Sequence, residues 1–517
     1  MRVIDLLDNG MRVRPDGPCV VDASGSLTHA QVRRLSIQVA NGLRSAGVAE
    51  GARVAVYSPN SASAFVAMIG LFRAGAVWLP IGEREALATK IEFLAENDCE
   101  FLFYDSHLDA DVQAMRSALP RLRGVLQIDG DSGLQHWASA YPDRIEDPMA
   151  VGTEAATDRL AWVKGTGGTT GRPKSVQVPE RAAQALFASF HLCMPLGADH
   201  VNLVAVPLTH GAGNIALSIL FAGGTNVLLG SADVHAIFDA IERHRVTTLF
   251  LPPTVIYRML ATPGVRDRDF SSLRYFIYAA APMSAHKLEE AIEVFGPVMA
   301  QCWGQTEAPL LCTFMSPRDH EVADDVRRAQ RMKSCGRPSP LTQVEIMDDE
   351  GALLGADQMG ELVVRGDLVM AGYHQRPDEN EAARRFGWHH TGDVGYRDSE
   401  GFFYIVDRKK DMIISGGFNI YPSEIEQVLW RHPSVMDCAV IGVPDQTWGE
   451  AVKAVVELKS GLDASTDELR AYCRDALGGM KTPKSIEIWD VLPRSAVGKV
   501  LKREIRERYW AGQARRV

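Results

Sequence analysis

The sequence predicts an α/β protein: a large N-terminal domain of layered α/β sheets with a β-rich subdomain, then a small C-terminal α+β domain. Three observations carry this. The chain has 517 residues, more than one hydrophobic core organises, so at least two domains are required. Short apolar runs alternate with segments of helical spacing through residues 54–295, the pattern of strands and helices stacked in layers. From about Gln343 the runs lose their intervening helices, and near Arg408 a separate compact unit begins.

The strands expected in the first part are Val54–Tyr57, Val77–Ile81, Phe101–Tyr104, Leu160–Val163, Leu203–Leu208, Asn226–Leu229, Thr248–Leu251 and Tyr275–Ala280, each bounded by turn residues. Helical spacing falls in His29–Ala46, Ala62–Ala74, Val234–His244 and Ala285–Phe295. Gln343–Met347, Glu361–Val364 and Phe402–Val406 form the β-rich part, the last entered through a turn at Asp398–Gly401. In the final unit, Ser423-x-x-Glu426 reads as a capping box opening a helix through His432. Strands Cys438–Val443 and Ala454–Leu458 follow, then a helix near Asp467–Leu477, strand Ile486–Trp489 and a last helix from Leu501. The domains expected are therefore 1–407 and 408–517.

Composition excludes several classes. Acidic residues outnumber lysine and arginine by 65 to 55, so the surface does not attract phosphate backbones, and a nucleic-acid partner is not expected. The eight cysteines contain no C-x-x-C pair, which fits neither a zinc site nor a disulfide framework and suits a reducing cytoplasm. No run reaches the ~18 apolar residues of a membrane span. The acidic start does not read as a signal peptide, nor the terminal Arg515-Arg516-Val517 as a peroxisomal address.

The most informative segment is Thr166-Gly167-Gly168-Thr169-Thr170-Gly171-Arg172-Pro173-Lys174, directly after an apolar strand. Glycines let backbone N–H groups approach an anion, and threonine hydroxyls and a lysine reach phosphate oxygens. It is not a P-loop, because Pro173 precedes Lys174, and it lacks the third glycine of a dinucleotide fingerprint. The segment resembles the phosphate loop of the adenylate-forming superfamily of acyl-CoA synthetases, peptide-synthetase adenylation domains and beetle luciferases. That loop reads Thr-Ser-Gly-Thr-Thr-Gly-x-Pro-Lys-Gly; here Gly167 replaces the serine and Ser175 the last glycine.

Further stretches match in the family's order. Pro207–Gly213 resembles the motif whose histidine, His210, lies beside the acyl pocket. Ala279-Ala280-Ala281-Pro282-Met283 resembles the adenine-side segment, with Ala279 for its first glycine. Gln301-Cys302-Trp303-Gly304-Gln305-Thr306-Glu307 resembles the core motif. Thr391-Gly392-Asp393 and Asp407–Asp411 resemble the ribose and hinge motifs, and Pro493–Lys499 the terminal one.

The resemblance implies ATP, Mg2+ and coenzyme A as cofactors and co-substrates. Thr306 would bond the α-phosphate and Glu307 would hold Mg2+, a hard cation that takes carboxylate and phosphate oxygens together. Trp303 would stack on adenine, and Asp393 with Arg408 would take the ribose. Lys499, on a mobile C-terminal domain turning at Lys410, would neutralise charge as the acyl-AMP forms. Gly416 and Gly417 would line the pantetheine tunnel. His210, Gly213, Ala279, Gly304, Pro309 and Leu310 would wall a mostly small, apolar acyl pocket, favouring an aryl, alicyclic or short-to-medium aliphatic monocarboxylate over an amino acid. The expected partners are a small carboxylic acid and coenzyme A, with a homodimer allowed and no nucleic acid or integral membrane. Two alternatives stand: an enzyme that loads a carrier protein's pantetheine arm, and a non-catalytic nucleotide-binding relative.

Overall fold

The computed structural model describes residues 2–144, 158–166, 174–494 and 500–510. Among them, two large sheets dominate. One is nine-stranded, running from Arg337–Pro338 through Thr313–Met315, Met299–Trp303, Tyr275–Tyr278, Thr248–Leu251, Val201–Val204, Thr225–Leu228 and Pro18–Asp22 to Gly25–Thr28. The other is seven-stranded, from Gly372–Tyr373 through Lys174–Pro179, Leu160–Thr166, Val77–Pro80, Arg53–Tyr57 and Cys99–Tyr104 to Gly124–Gln127. Both have parallel interiors, as strands separated by crossover helices require; the nine-stranded sheet is antiparallel at both edges and the seven-stranded sheet at one.

Helix Ala62–Ala74 is buried at every position but Ser63, and helix Gly211–Phe221 at most of its positions. Helices apolar on all sides belong between layers rather than on a surface, and both contribute to one core shared by the two sheets. The polar link across this core is Asn60. Its amide donates to the Val206 and Leu229 carbonyls at 3.0 and 3.1 Å and accepts from Leu208 N at 2.9 Å. It therefore fixes the loop after strand Val201–Val204 against the end of strand Arg53–Tyr57.

A four-stranded antiparallel sheet follows, ordered Gln343–Met347, Gly360–Arg365, His389–Arg397, Phe403–Arg408. The C-terminal unit has its own five-stranded sheet and two cores built from residues 413–505. Helices Ala62–Ala74, Val234–His244 and Ala285–Phe295 lie where their spacing puts them. The strand expected at Leu203–Leu208 ends instead at Val204, because Asn60 captures the backbone beyond it.

The capping box at Ser423 and Glu426 does not form. The helix is Pro422–Leu429, capped by Tyr421, and both side chains bond elsewhere. Ser423 Oγ donates to the Val406 carbonyl, while Glu426 Oε1 accepts from Val440 N at 2.7 Å and pairs with Lys502 at 2.8 Å. Glu426 is the centre of a buried ionic cluster. Burial raises its pKa against the pull of Lys502. Burial would likewise depress Lys502, but Glu426, Asp407 and Asp411 hold it above the ordinary lysine range.

Lys502→Met should therefore leave two buried carboxylates without their countercharge and destabilise the C-terminal unit by about 3–5 kcal/mol. Urea unfolding, with hydrogen exchange along strand Val435–Asp445, checks this; an unchanged midpoint refutes the cluster's role. A second outcome concerns His320, which is buried, with Nδ1 2.9 Å from the Ser316 carbonyl and Nε2 3.2 Å from the Tyr278 hydroxyl. Burial pushes its pKa down from 6.5 to about 4. Between those values only the unfolded chain takes the proton, so this group's stabilisation is present above pH 6.5 and lost as pH falls toward 4. His320→Asn should flatten the stability profile in that window by up to ~1.4 kcal/mol per pH unit, read from urea midpoints at stepped pH.

Candidate active site

The C-terminal ends of parallel strands from both large sheets meet at Asn60, and the cleft at such strand ends is the usual place for ligands. Strand Leu160–Thr166 pairs with Lys174–Pro179, Thr166 opposite Lys174, so the hairpin base is fixed. The expected phosphate-loop residues between them, Gly167, Gly168, Thr169, Thr170 and Gly171, lie outside the described residues, as does Lys499. Ser175 is fully buried: its Oγ accepts from Asn97 Nδ2 at 2.8 Å and donates to Glu96 Oε2 at 3.2 Å. The serine that replaces the family's glycine thus ties the hairpin to helix Leu87–Glu96.

Lys174 Nζ sits 4.8 Å from the centre of the Tyr373 ring, and the Tyr373 hydroxyl donates to Glu307 Oε1 at 2.9 Å. One aromatic side chain therefore holds the phosphate-loop lysine and the expected metal carboxylate on the same cleft. No motif marks Tyr373; the signal is the register of a two-residue strand, Gly372–Tyr373, against Lys174–Pro179. Behind Glu307, His389 is buried with neither ring nitrogen bonded, and burial lowers its pKa despite the nearby Glu307 charge.

Strand Met299–Trp303 alternates. Gln301 and Trp303 are half-buried toward the cleft, whereas Cys302 turns into the core, where burial pushes its thiol far above the ordinary range. Cys302 therefore offers a nucleotide only its backbone. After Trp303 the chain turns so tightly that a Cβ at Gly304 would lie 2.6 Å from Leu310 backbone atoms. The turn holds Leu310 at φ 59°, and Ala280, in the adenine-side segment, stands at φ 73°. Left-handed backbone at two residues that are not glycine is strain of the kind found at binding sites. Ala280 and Pro282 are exposed, Ala281 is half-buried, and Ala279 is buried beneath them.

Asp393 is buried at the centre. Its Oδ2 accepts from Trp303 Nε1 and Gln305 Nε2, each at 3.1 Å, and its Oδ1 lies 3.2 Å from Arg408 Nε. Gln305 Nε2 also donates to the Thr391 carbonyl at 2.8 Å. A carboxylate has about four acceptor positions, and three are filled. The expectation that Asp393 receives both ribose hydroxyls therefore requires Arg408, 40% exposed at its side chain, to yield one position.

His210 is the N-cap of helix Gly211–Phe221, with Nδ1 2.9 Å from Thr209 Oγ1. Burial and the nearby Lys164 push its pKa down to about 3, so it is neutral. A side chain at Gly211 would meet Leu310 and Phe250 at 3.4 Å, which places these residues together on one wall. Gly213 does not line that wall: a Cβ there would lie 2.0 Å from the Leu208 carbonyl, so it is a packing glycine. Pro309 is likewise buried beneath Leu310.

The approach to the C-terminal unit is tethered on both sides of Lys410. Lys409 N donates to the Gly392 carbonyl at 2.8 Å and its Nζ to Asp349 at 2.6 Å, both in the large domain. Asp411 pairs with Arg506 of the C-terminal unit at 2.7 Å. Gly416 and Gly417 form the turn between Ile413–Ser415 and Phe418–Ile420 at φ 59° and 83°. A Cβ at Gly416 would strike Trp448 at 2.6 Å, while one at Gly417 has no heavy atom within 4 Å.

Among the described residues there is no group of three or more histidine, cysteine or acidic side chains suited to a metal. A single carboxylate, Glu307, with one oxygen engaged by Tyr373, suits Mg2+, which keeps several waters and binds chiefly through substrate phosphates. No helix among the described residues is long and apolar enough to cross a membrane.

Comparison with known proteins agrees with this geometry. Residues 7–374 match the family model described as AMP-binding enzyme, and residues 424–499 the AMP-binding enzyme C-terminal domain. A feruloyl-CoA synthase from Amycolatopsis sp is 36% identical over 96% of this chain and 97% of its own. The medium/long-chain-fatty-acid–CoA ligase FadD8 of Mycobacterium tuberculosis is also 36% identical, over 73% of this chain and 66% of its own. The structure of the amide bond synthetase McbA from Marinactinospora thermotolerans superposes with a TM-score of 0.87 at 30% identity, covering 98% of this chain and 100% of that one. With the family model matched over residues 7–374 and its C-terminal companion over 424–499, the chain belongs to the AMP-binding, adenylate-forming enzyme superfamily.

Proposed function

We propose that this chain is an AMP-forming acid–CoA ligase whose residues 1–407 make the acyl-AMP and whose residues 408–517 act as a lid pivoting at Lys410. The observation that carries this is the arrangement around Tyr373, which sets Lys174 and Glu307 on one cleft edge, with Asp393 buried on the other side. A triphosphate spanning that gap has its ribose at Asp393 and its phosphates at Thr166, Lys174 and Thr306. Glu307 would hold Mg2+, which supplies charge neutralisation at the phosphates when bound. The acid's carboxylate attacks the α-phosphorus; the bond to the β-phosphate oxygen breaks, and pyrophosphate leaves. Positioning and charge account for such a transfer without a covalent enzyme intermediate.

Lys499 belongs to the moving unit and would meet the negative charge that develops in the first step. The clamps on either side of Lys410 support a pivot there, since residues 409 and 411 are held by different bodies. Gly417, open to a depth of 4 Å around its missing side chain, suits a narrow thiol arm, and the CoA ligases among the relatives favour coenzyme A as acceptor. The neutral His210 and the Leu310–Phe250 wall favour an aryl, alicyclic or short-to-medium aliphatic acid over an amino acid. Eight free cysteines, seven of them buried, suit a reducing compartment.

The two half-reactions separate the roles. Lys499→Ala should lower acid-dependent pyrophosphate exchange ~100-fold or more, the loss typical of a removed transition-state charge, while thioester formation from supplied acyl-AMP persists. Gly417→Leu should do the reverse, keeping exchange and losing thioester synthesis with free coenzyme A. Full exchange in the first variant, or normal thioester synthesis in the second, overturns the corresponding role. Thioester formation only on a carrier protein would replace coenzyme A as the acceptor.

A further inference from the structure

None of the sequence motifs falls in residues 370–380, yet this segment grips the nucleotide side of the cleft. Its short strand Gly372–Tyr373 pairs antiparallel with Lys174–Pro179, Tyr373 opposite Val176. Ala371 N and His374 N donate to the Gln177 and Ser175 carbonyls at 2.8 and 2.9 Å, so the strand is pinned at both ends. On its other side the Asn380 side chain takes the place of a neighbouring strand. Its Oδ1 accepts from Tyr373 N at 2.6 Å, and its Nδ2 donates to the Tyr373 carbonyl at 2.9 Å. That approach needs the glycine at 372, held at φ 143°, because a Cβ there would lie 2.9 Å from Asn380 Oδ1.

The grip ends on two groups that the acyl-AMP step uses. Met370 N donates to the Glu307 carbonyl at 2.7 Å, and the Tyr373 hydroxyl donates to Glu307 Oε1 at 2.9 Å. Backbone and carboxylate of one residue are therefore held from one segment. Tyr373 is buried, and burial together with the Glu307 charge raises its phenol far above the ordinary range, so the hydroxyl stays a donor. Lys174 Nζ lies over the same ring, 4.8 Å from its centre. Glu379 Oε1, 3.8 Å from Nζ, is beyond hydrogen-bond reach. A ring face holds an ammonium without an acceptor atom, which leaves the donors on the far side of Nζ for phosphate oxygens.

A metal ion held by a single carboxylate depends on the partner that orients that carboxylate. Without the hydroxyl, Glu307 is free to turn about its last torsion; without the ring, Lys174 regains its rotamers. We propose that Tyr373 is a positioning residue for the nucleotide: its hydroxyl orients Glu307 for the metal ion, its ring holds Lys174 for the phosphates, and Asn380 fixes both by clasping the tyrosine's backbone. This rests on the acyl-AMP step of the acid–CoA ligase reading and deepens it by two residues outside its motifs. The two contacts use different parts of one side chain, so substitutions separate them.

The test titrates ATP into the full chain by calorimetry, first in EDTA and then with Mn2+ as the metal probe. Tyr373→Phe should bind metal-free ATP as the wild-type chain does, while Mn2+ binding to the ATP complex weakens ~10-fold or more, the loss typical when a ligand's orienting partner is removed. Tyr373→Leu should show that same loss and also weaken metal-free ATP by about 2–5-fold, the worth of a cation over a ring. Asn380→Ala should move both affinities in the direction of Tyr373→Leu. In a Glu307→Gln background, Tyr373→Phe should cost nothing further, since it acts through that carboxylate. Pyrophosphate exchange in Tyr373→Phe should recover at saturating metal, a change in metal requirement and not in kcat. Wild-type metal affinity in Tyr373→Phe overturns the proposal, as does an undiminished loss in the Glu307→Gln background or a lowered urea midpoint with both affinities intact. Absence of wild-type exchange with every acid would sink the ligase reading and leave the binding data to decide Tyr373; normal exchange with unmoved affinities sinks only the inference about Tyr373.

Discussion

The buried carboxylate of Asp393 gathers the elements that the cleft depends on. Trp303 and Gln305 come from the nine-stranded sheet and the turn that follows it, Arg408 from the last strand of the four-stranded sheet, and all three converge on its two oxygens. At 3% exposure these donors replace the hydrogen bonds that water would otherwise give the carboxylate. Each donor in turn fixes a functional neighbour. The indole is fixed by its N–H to Asp393. Gln305 bridges to the Thr391 carbonyl and so sets the backbone that carries Gly392. Arg408 begins the segment through which the C-terminal unit is reached.

The same chain of contacts runs on to Lys410. The Gly392 carbonyl receives Lys409 N, so the residue next to Asp393 anchors the large-domain side of Lys410. On the other side Asp411 is held by Arg506 and lies in the field of Lys502, both on helix Lys502–Glu507. That helix follows the terminal motif directly. Lys502 also lies in the field of Asp407, and Ser423 bonds both Val406 and Asp407, so the C-terminal unit is joined to the chain on both sides of Lys410. The buried Glu426–Lys502 pair makes this body stiff at the point where the chain enters it.

Much of this was legible in the sequence. Helices with a full set of apolar positions, such as Ala62–Ala74 and Ala285–Phe295, lie where spacing puts them, since burial on their inner faces decides both type and extent. The motif residues Trp303, Gln305, Asp393 and Arg408 meet at one carboxylate. What spacing cannot show is a side chain's preference for a distant partner. Ser423 and Glu426 satisfy a local capping pattern, yet Lys502 and Val440 N compete for the glutamate and win, because an ion pair in the core outweighs one exposed cap bond. Tyr373 is one tyrosine among twelve; only strand pairing brings its hydroxyl to Glu307. The N-terminal helix Val3–Val13 carries Val3, Ile4, Leu7 and Met11 on one buried stripe, a spacing already present in the sequence.

The two departures from the family's phosphate loop acquire a physical meaning together. A glycine at 167 widens the backbone freedom of the loop and removes a hydroxyl, so ordering it around phosphate costs more entropy. Ser175 acts on the opposite quantity. Its buried hydroxyl joins Asn97 and Glu96, and Glu96 is paired in turn with Arg376 at 3.4 Å, just beyond the strand that carries Tyr373. The described end of the hairpin, Lys174 and Ser175, is thus firmly held. Lys174 gains most from this, because the bond network of its neighbour Ser175 sets its position over the Tyr373 ring.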